Sequence, residues 1–348
     1  MFEGHARIME ICGTHTHQIV HYGIRSLLPE GIRLASGPGC PVCVTEAGYI
    51  DAAIAMLDDT KVTLVTFGDL MRIPGSSSSL QEQKALGRDI VVVYSPEDVF
   101  RIAANNPDNQ IVFLAVGFET TAPLFAALVK QADMMRVRNL YFLTALKRME
   151  PVLHHMFGTL GLKIDGLICP GHVAVITGTT PFQTISDAYS VPATVCGFEA
   201  PDILAGIYEL IEQISEEKAV RAVNLYKRCV TDEGNIAAKS LIHDVFTPAD
   251  VNWRGIGMVS NSAYVMGERY KQFDALEHFG ISVPDTDRHH KCLCGDILLG
   301  KEEPGCCPAF GGTCTPEHPV GPCMVSSEGA CAAWYKETGG DRCLTEFS

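Results

Sequence analysis

Positive charge is scarce in this chain: 27 Lys and Arg face 41 Asp and Glu, for a formal net charge of −14. A field of that sign repels phosphate backbones and anionic lipid surfaces, so neither nucleic acid nor a membrane is an expected partner. Long apolar runs are also lacking. The most apolar stretch, IVFLAVGFETTAPLFAALV, is broken by Glu119, two threonines and Pro123, whereas a bilayer-spanning helix needs roughly 18 or more uninterrupted apolar residues. The opening MFEGHARIMEICG has no basic region followed by an apolar run, as a secretory signal would have. The expectation is a soluble, cytoplasmic protein. In that reducing setting its 14 cysteines read as metal ligands, catalytic thiols or small buried apolar residues rather than structural disulfides.

Several familiar signals fail as well. There is no C-x3-C-x2-C run of radical enzymes and no ferredoxin run of closely spaced cysteines. GPGCPV lacks the third glycine of a dinucleotide fingerprint. GDILLGKE, residues 295–302, has P-loop spacing, but Glu302 stands where a Mg-binding Ser or Thr is needed and no strand precedes it.

What is present is a 348-residue chain, 47% hydrophobic and 20% charged, long enough for two or three domains and a substantial core. From Arg33 to about Leu204 short β-branched runs alternate with helical patterns, which predicts βαβ units and mainly parallel sheets. The strand candidates are 61–67, 89–94, 110–118, 139–146, 165–170 and 193–198. Helices are predicted in EAGYIDAAIAMLDD, in SPEDVFRIAANN with Ser95 as N-cap, and in APLFAALVKQADMM. GFETTAPLFAALV from Gly117 resembles GFEAPDILAGIYEL from Gly197, a hint of two similar α/β halves. After Ser215 the pattern predicts a long polar helix, ISEEKAVRAVNLYKRCV, and then an irregular tail rich in Gly, Pro and Cys.

Four groups of residues carry chemistry. In MEICGTHTH, Cys12, His15 and His17 offer one soft and two borderline donors within six residues, suited to zinc or low-spin iron; a buried cysteine beside two hydrogen-bonded histidines is the plainer alternative. In GPGCPVC, Cys40 and Cys43 flank Pro41-Val42, and two thiols at that spacing can ligate one metal or close a small disulfide ring, with partly accessible sulfurs expected in either case. No second cysteine pair at comparable spacing occurs before Cys292, which favours redox or transient metal use over half of a structural zinc site. FGDLMRIPG and CPGHV put Asp69, Arg72 and His172 at strand ends, where loops of a parallel sheet converge. Glu119 in GFETT and Glu199 in GFEA face the alternative of merely satisfying helix N-terminal amides.

The fourth group is the tail, where Cys292, Cys294, Cys306, Cys307, Cys314, Cys323, Cys331 and Cys343 crowd the last 57 residues. Such a segment has too little apolar periodicity to fold by burial alone, so a metal centre is the expected staple. Wide, uneven spacing without C-x-x-C knuckles argues for iron-sulfur, while four of these thiols also suit zinc.

The combination ICGTHTH, GPGCPVC, FGDLMRIPG, VGFETTAP, PGHV and CPAFGGTCTP with MVSSEGACAAWY, in this order, closely resembles the HypD family of [NiFe]-hydrogenase maturation factors. It departs at the front, where many members carry a longer leader. The resemblance implies an α/β protein of two Rossmann-like parallel-sheet domains, residues 30–147 and 148–215, plus a smaller Cys-rich iron-sulfur domain made of 1–29 and 216–348. It implies work with HypC on an iron bearing cyanide and carbon monoxide, with cyanide delivered through HypE as a thiocyanate formed by HypF. Transfer onward to the hydrogenase large subunit runs through HypC. On this likeness Cys12 is the iron ligand, Cys40 and Cys43 are a redox pair, and Asp69 and His172 are polar groups of the same cleft, with His15, His17 and Glu119 beside them. A [4Fe-4S] cluster falls to Cys294, Cys307, Cys314 and Cys331, with Cys306 competing for the second position, and Cys292 with Cys323 form the adjacent dithiol. The implied role is a redox-active assembly scaffold rather than a stand-alone enzyme. The competing reading is a thiol-disulfide oxidoreductase with zinc in its tail.

Overall fold

Eleven strands form among the residues that the computed structural model describes, 4–215, 219–285 and 292–341. In chain order they are β1 (Ala6–Glu10), β2 (Ile32–Ser36), β3 (Val62–Thr66), β4 (Ile90–Val92), β5 (Gln110–Gly117), β6 (Leu140–Lys147), β7 (Gly166–Pro170), β8 (Ala193–Cys196), β9 (Ala222–Asn224), β10 (Phe246–Trp253) and β11 (Gly257–Met266). They divide between two units, Met1–Cys43 with Met149–Ile236 and His290–Ser348, and Val44–Arg148 with Ala237–His289. Each unit holds one sheet.

The first sheet has the order β2-β1-β7-β8-β9, with every neighbour parallel. β7 and β8 are buried along their whole length, as expected where helices cover a parallel sheet and the strand becomes a continuous apolar run. Its core joins Ile8, Leu34 and Ile168 of the strands to Ile203, Ile207 and Leu210 of the Ala200–Ser215 helix. The helical three recur at i, i+4 and i+7, one face toward the sheet. From β1 the chain moves outward to β2, and later returns to place β7 on the other side of β1. Strand order therefore reverses between β1 and β7, the position where ligands settle in open α/β sheets.

The second sheet has the order β10-β11-β6-β5-β3-β4. Its β6-β5-β3-β4 part is parallel, and the β10–β11 hairpin joins β6 antiparallel. Phe113 of β5 packs against Phe125 and Phe142 at 5.3 and 6.3 Å between ring centres, and fully buried Trp253 satisfies its indole N–H on Ser262 Oγ at 2.8 Å. No helix among the described residues is long and apolar enough to cross a membrane.

The α/β class, with two parallel-dominated sheets and a Cys-rich region, is what the chain forms. All six strand candidates appear, as β3 to β8. The sheets cut across the expected boundaries, however: residues 30–43 join the first unit rather than 44–147, and 237–289 join the second rather than the tail. β1 and β2 escaped notice because each is five residues long and carries charge. The long polar helix is absent. The Ala200–Ser215 helix stops, residues 216–218 lie outside the described residues, and Ala222–Asn224 adds an edge strand to β8. Side-chain carbonyls of Gln213 and Gln183 accept the N–H groups of Arg221 and Ala222 at 3.1 and 2.9 Å, drawing this segment onto the sheet. Ser95 is not an N-cap either: the helix begins at Asp98 after Glu97, and Ser95 offers only its carbonyl to the Asp98 N–H at 3.2 Å.

Candidate functional site

Four adjacent strands of the first sheet end in loops that bear candidate residues. β1 runs into Cys12, β2 into Gly37–Cys43, β7 into Gly171-His172 and β8 into Gly197-Phe198. Cys12 caps the Gly13–His21 helix with extended backbone angles. Its turn is pinned to the neighbouring loop by the Gly13 N–H, which donates to the Gly39 carbonyl at 3.0 Å. Contact there is so close that a Cβ on residue 39 would lie 2.3 Å from the Cys12 nitrogen and 2.4 Å from its Cα. Only glycine fits, which gives the third residue of GPGC a steric reason.

Cys12 is 7% exposed. Burial raises its thiol pKa to about 11, and the Glu328 carboxylate adds to this, while backbone N–H groups of His15 and Thr14 and the Thr14 hydroxyl oppose it. The free thiol is thus protonated at neutral pH, and a bound cation is what turns it into a thiolate.

His15 is fully buried, with Nε2 2.9 Å from the Gly197 carbonyl and 3.6 Å from Cys196 Sγ. Burial lowers its pKa to about 4, so the ring is neutral and Nε2 carries the proton given to the carbonyl. Phe198 lies between His15 and His172, at 4.7 and 4.0 Å from their ring centres. His172 itself is exposed, and desolvation lowers its pKa while Glu328 opposes. His17 does not join this group. Two positions along a helix turn it about 200° from His15, and its Nδ1 meets the Ser327 carbonyl at 3.3 Å. Asp69, exposed in the short helix Gly68–Arg72, and Glu119, buried after β5, are carried by the second unit.

Cys40 and Cys43 form a disulfide across 5.2 Å between Cα atoms, with the Cys43 N–H turned onto the Cys40 carbonyl and Sγ at 3.1 and 3.2 Å. Their exposures are 3% and 0%, against the expectation of partly accessible sulfurs. Cys43 Sγ lies 3.9 Å from the Pro322 carbonyl of the Cys-rich tail.

In that tail Cys294 and Cys323 approach to 2.8 Å between sulfurs. Cys331 sits second in the Ala330–Thr338 helix, its thiol raised well above the ordinary range by burial and then by Cys294, Cys292, Cys314 and Cys307. Burial also raises the pKa of Cys314, opposed by N–H groups of Val320 and Gly321, with Cys292 and Cys307 adding to it. Cys306 is exposed, whereas Cys307 is buried. Cys343 lies outside the described residues. Among the described residues no three His, Cys, Asp or Glu side chains close on a point that a single metal ion could occupy.

Sequence reasoning missed Phe198, Cys196 and Glu328. The first was in view inside GFEA, where attention fell on the acid; Glu328 gave no sign.

A protein-family model described as the hydrogenase formation hypA family, HypD, matches residues 2–338. The chain belongs to the HypD family. A putative hydrogenase expression/formation protein of Methanocaldococcus jannaschii is 42% identical, over 95% of this chain and 91% of its own. The hydrogenase maturation factor HypD of Escherichia coli K12 is 41% identical, over 95% and 88%. The factor HypD2 of Bradyrhizobium diazoefficiens is 40% identical, over 94% and 88%. With the family in place, ICGTHTH, GPGCPVC, PGHV and the tail motif fall together in one unit.

Proposed function

We propose that this chain is a cytoplasmic hydrogenase maturation factor that, together with HypC, holds an iron cargo at Cys12 while cyanide and carbon monoxide are fitted to it. One observation carries the reading: the Cys12 turn packs directly on the loop bearing the Cys40–Cys43 disulfide. A soft thiolate suits a low-spin iron with strong-field ligands. Thiocyanate delivered through HypE is reduced as R–S–CN plus two electrons gives RS⁻ and CN⁻, and Cys40 with Cys43, as the dithiol, supply those electrons on becoming the disulfide. His15, neutral and locked by Gly197 and Phe198, keeps a fixed wall beside the cargo. His172, more exposed, serves proton traffic at the mouth.

The residues of the tail fit a [4Fe-4S] cluster. Cys294 is engaged with Cys323, which leaves Cys292, Cys307, Cys314 and Cys331 as the ligand set and Cys294–Cys323 as the neighbouring dithiol. Burial and the neighbouring sulfurs oppose ionisation of Cys314 and Cys331, so a cationic group is what makes thiolates tolerable there. N–H groups of Val320 and Gly321 aimed at Cys314 match the donors that sulfur ligands of a cluster need. Such a cluster supplies electrons one at a time when bound.

Anaerobic isolation with HypC, followed by iron and sulfide analysis and infrared spectroscopy, tests the reading. It expects labile sulfide and cyanide and carbonyl stretches that vanish in Cys12→Ala. Iron and partner without those bands overturns it, and zinc without sulfide favours the thiol-disulfide oxidoreductase.

A further inference from the structure

The tail does more than carry cysteines, because one of its loops presses on the turn that holds Cys12. Thr14 Oγ1 donates to Glu328 Oε1 at 2.8 Å across 314 residues of sequence. The approach is tight: a Cβ on Gly13 would lie 2.6 Å from Glu328 Cβ and 2.9 Å from its carbonyl oxygen. The preceding residue, Ser327, receives His17 Nδ1 from the next turn of the same helix at 3.3 Å. Thr14 is the second residue of the helix that Cys12 caps, and its backbone N–H faces the Cys12 sulfur. The order of contacts is therefore Glu328 to Thr14 to Cys12, with Gly13 leaving the room.

We infer that Glu328 is a positioning residue for Cys12: by accepting the Thr14 hydroxyl it fixes the first helical turn, and with it the direction of the thiol, from the Cys-rich tail. The single hydroxyl proton goes to the carboxylate, so the hold on the thiol is through the backbone: with Thr14 anchored and Gly13 packed on Glu328, the helix N-terminus that Cys12 caps keeps one geometry. A short side chain at 328 removes that tie and leaves the turn to the Gly13–Gly39 bond and the Thr16 bonds to the Cys12 carbonyl. The role deepens the proposed function, since it rests on Cys12 being the iron-holding thiol.

The test is iodoacetamide labelling of the full-length protein, purified anaerobically without HypC and with no iron at Cys12, read by peptide mass spectrometry as the Cys12 rate relative to exposed Cys229. Glu328→Ala is expected to speed labelling of Cys12 about tenfold, the weight of a charge-assisted hydrogen bond. Thr14→Val should do the same from the other side. Glu328→Gln, which keeps an acceptor oxygen, should restore protection. Unchanged labelling in both Glu328→Ala and Thr14→Val, with melting temperature as the control for folding, overturns the inference; so does Glu328→Gln labelling as fast as Glu328→Ala, which makes the effect one of charge alone. If Glu328→Ala does not fold, Thr14→Val and Glu328→Gln decide between these outcomes. Labelling needs no cargo, so a wild-type protein that lacks infrared bands sinks the function and leaves this result standing.

Discussion

The strand-end loops and the Cys-rich tail both gather sulfur, but different forces hold them. Cys12, the Cys40–Cys43 loop, His172 and Phe198 hang from four neighbouring strands whose ladders exist whether or not anything is bound. Among the described residues beyond Cys292 the chain offers mostly short helical pieces such as Cys294–Leu298 and Pro322–Val325, the Ala330–Thr338 helix and one isolated bridge, Phe310 to Cys314. The lesson is that the first region is preorganised by backbone hydrogen bonds and burial, whereas the second has few such ties and is the part that the proposed cluster would hold.

The largest expected effect separates the two. Cys307→Ala should remove the visible absorption of a cluster and expose the tail to protease at least about tenfold faster, while far-UV dichroism of the sheets persists. Concerted loss of the sheets would erase the contrast. Next in size, Gly39→Ala forces a methyl onto the Cys12 backbone and should cost about 1–3 kcal/mol or more, lowering the melting temperature and the iron bound with HypC. An unchanged melt would show that the loops are not preorganised.

The smallest effects are pH slopes. Burial raises the Glu10 carboxyl to about 7, with Arg25 and Ser36 opposing, so the folded state binds the extra proton and stability falls as pH rises from the usual carboxyl range through 7. His15, lowered to about 4, contributes stability that is lost as pH falls from its ordinary value through 4. The two slopes oppose each other and largely cancel near pH 5–6. Glu10→Gln should uncover the acid-side loss, and His15→Gln the alkaline-side loss, at up to about 1.4 kcal/mol per pH unit each. Denaturant titrations across that range check both; identical slopes in wild type and variants exclude the pair.

Much of this was legible before any coordinates. Runs such as VTLVT and QIVFLAVG declare themselves because fully buried parallel strands have no polar face to confuse them. CPVC and PGHV stood out because Gly and Pro mark the turns that follow strands. β1 was not readable as a neighbour of β7: parallel pairing such as that of Ile8 with Gly166 leaves no local trace. Nor could spacing reveal that Cys294 meets Cys323, since the order of thiols along an irregular segment does not fix which sulfurs approach. His17 shows the reverse error. Proximity in sequence suggested a shared metal with His15, and helical rotation sent it elsewhere.

The concealment of the Cys40–Cys43 bond has a kinetic corollary. With both sulfurs walled in, small soluble thiols cannot line up for in-line attack, and the pair is insulated from whatever glutathione-like pool surrounds it. Its turnover is then paced by a docked macromolecule or an internal neighbour, and bulk redox poise alone should neither charge nor discharge it.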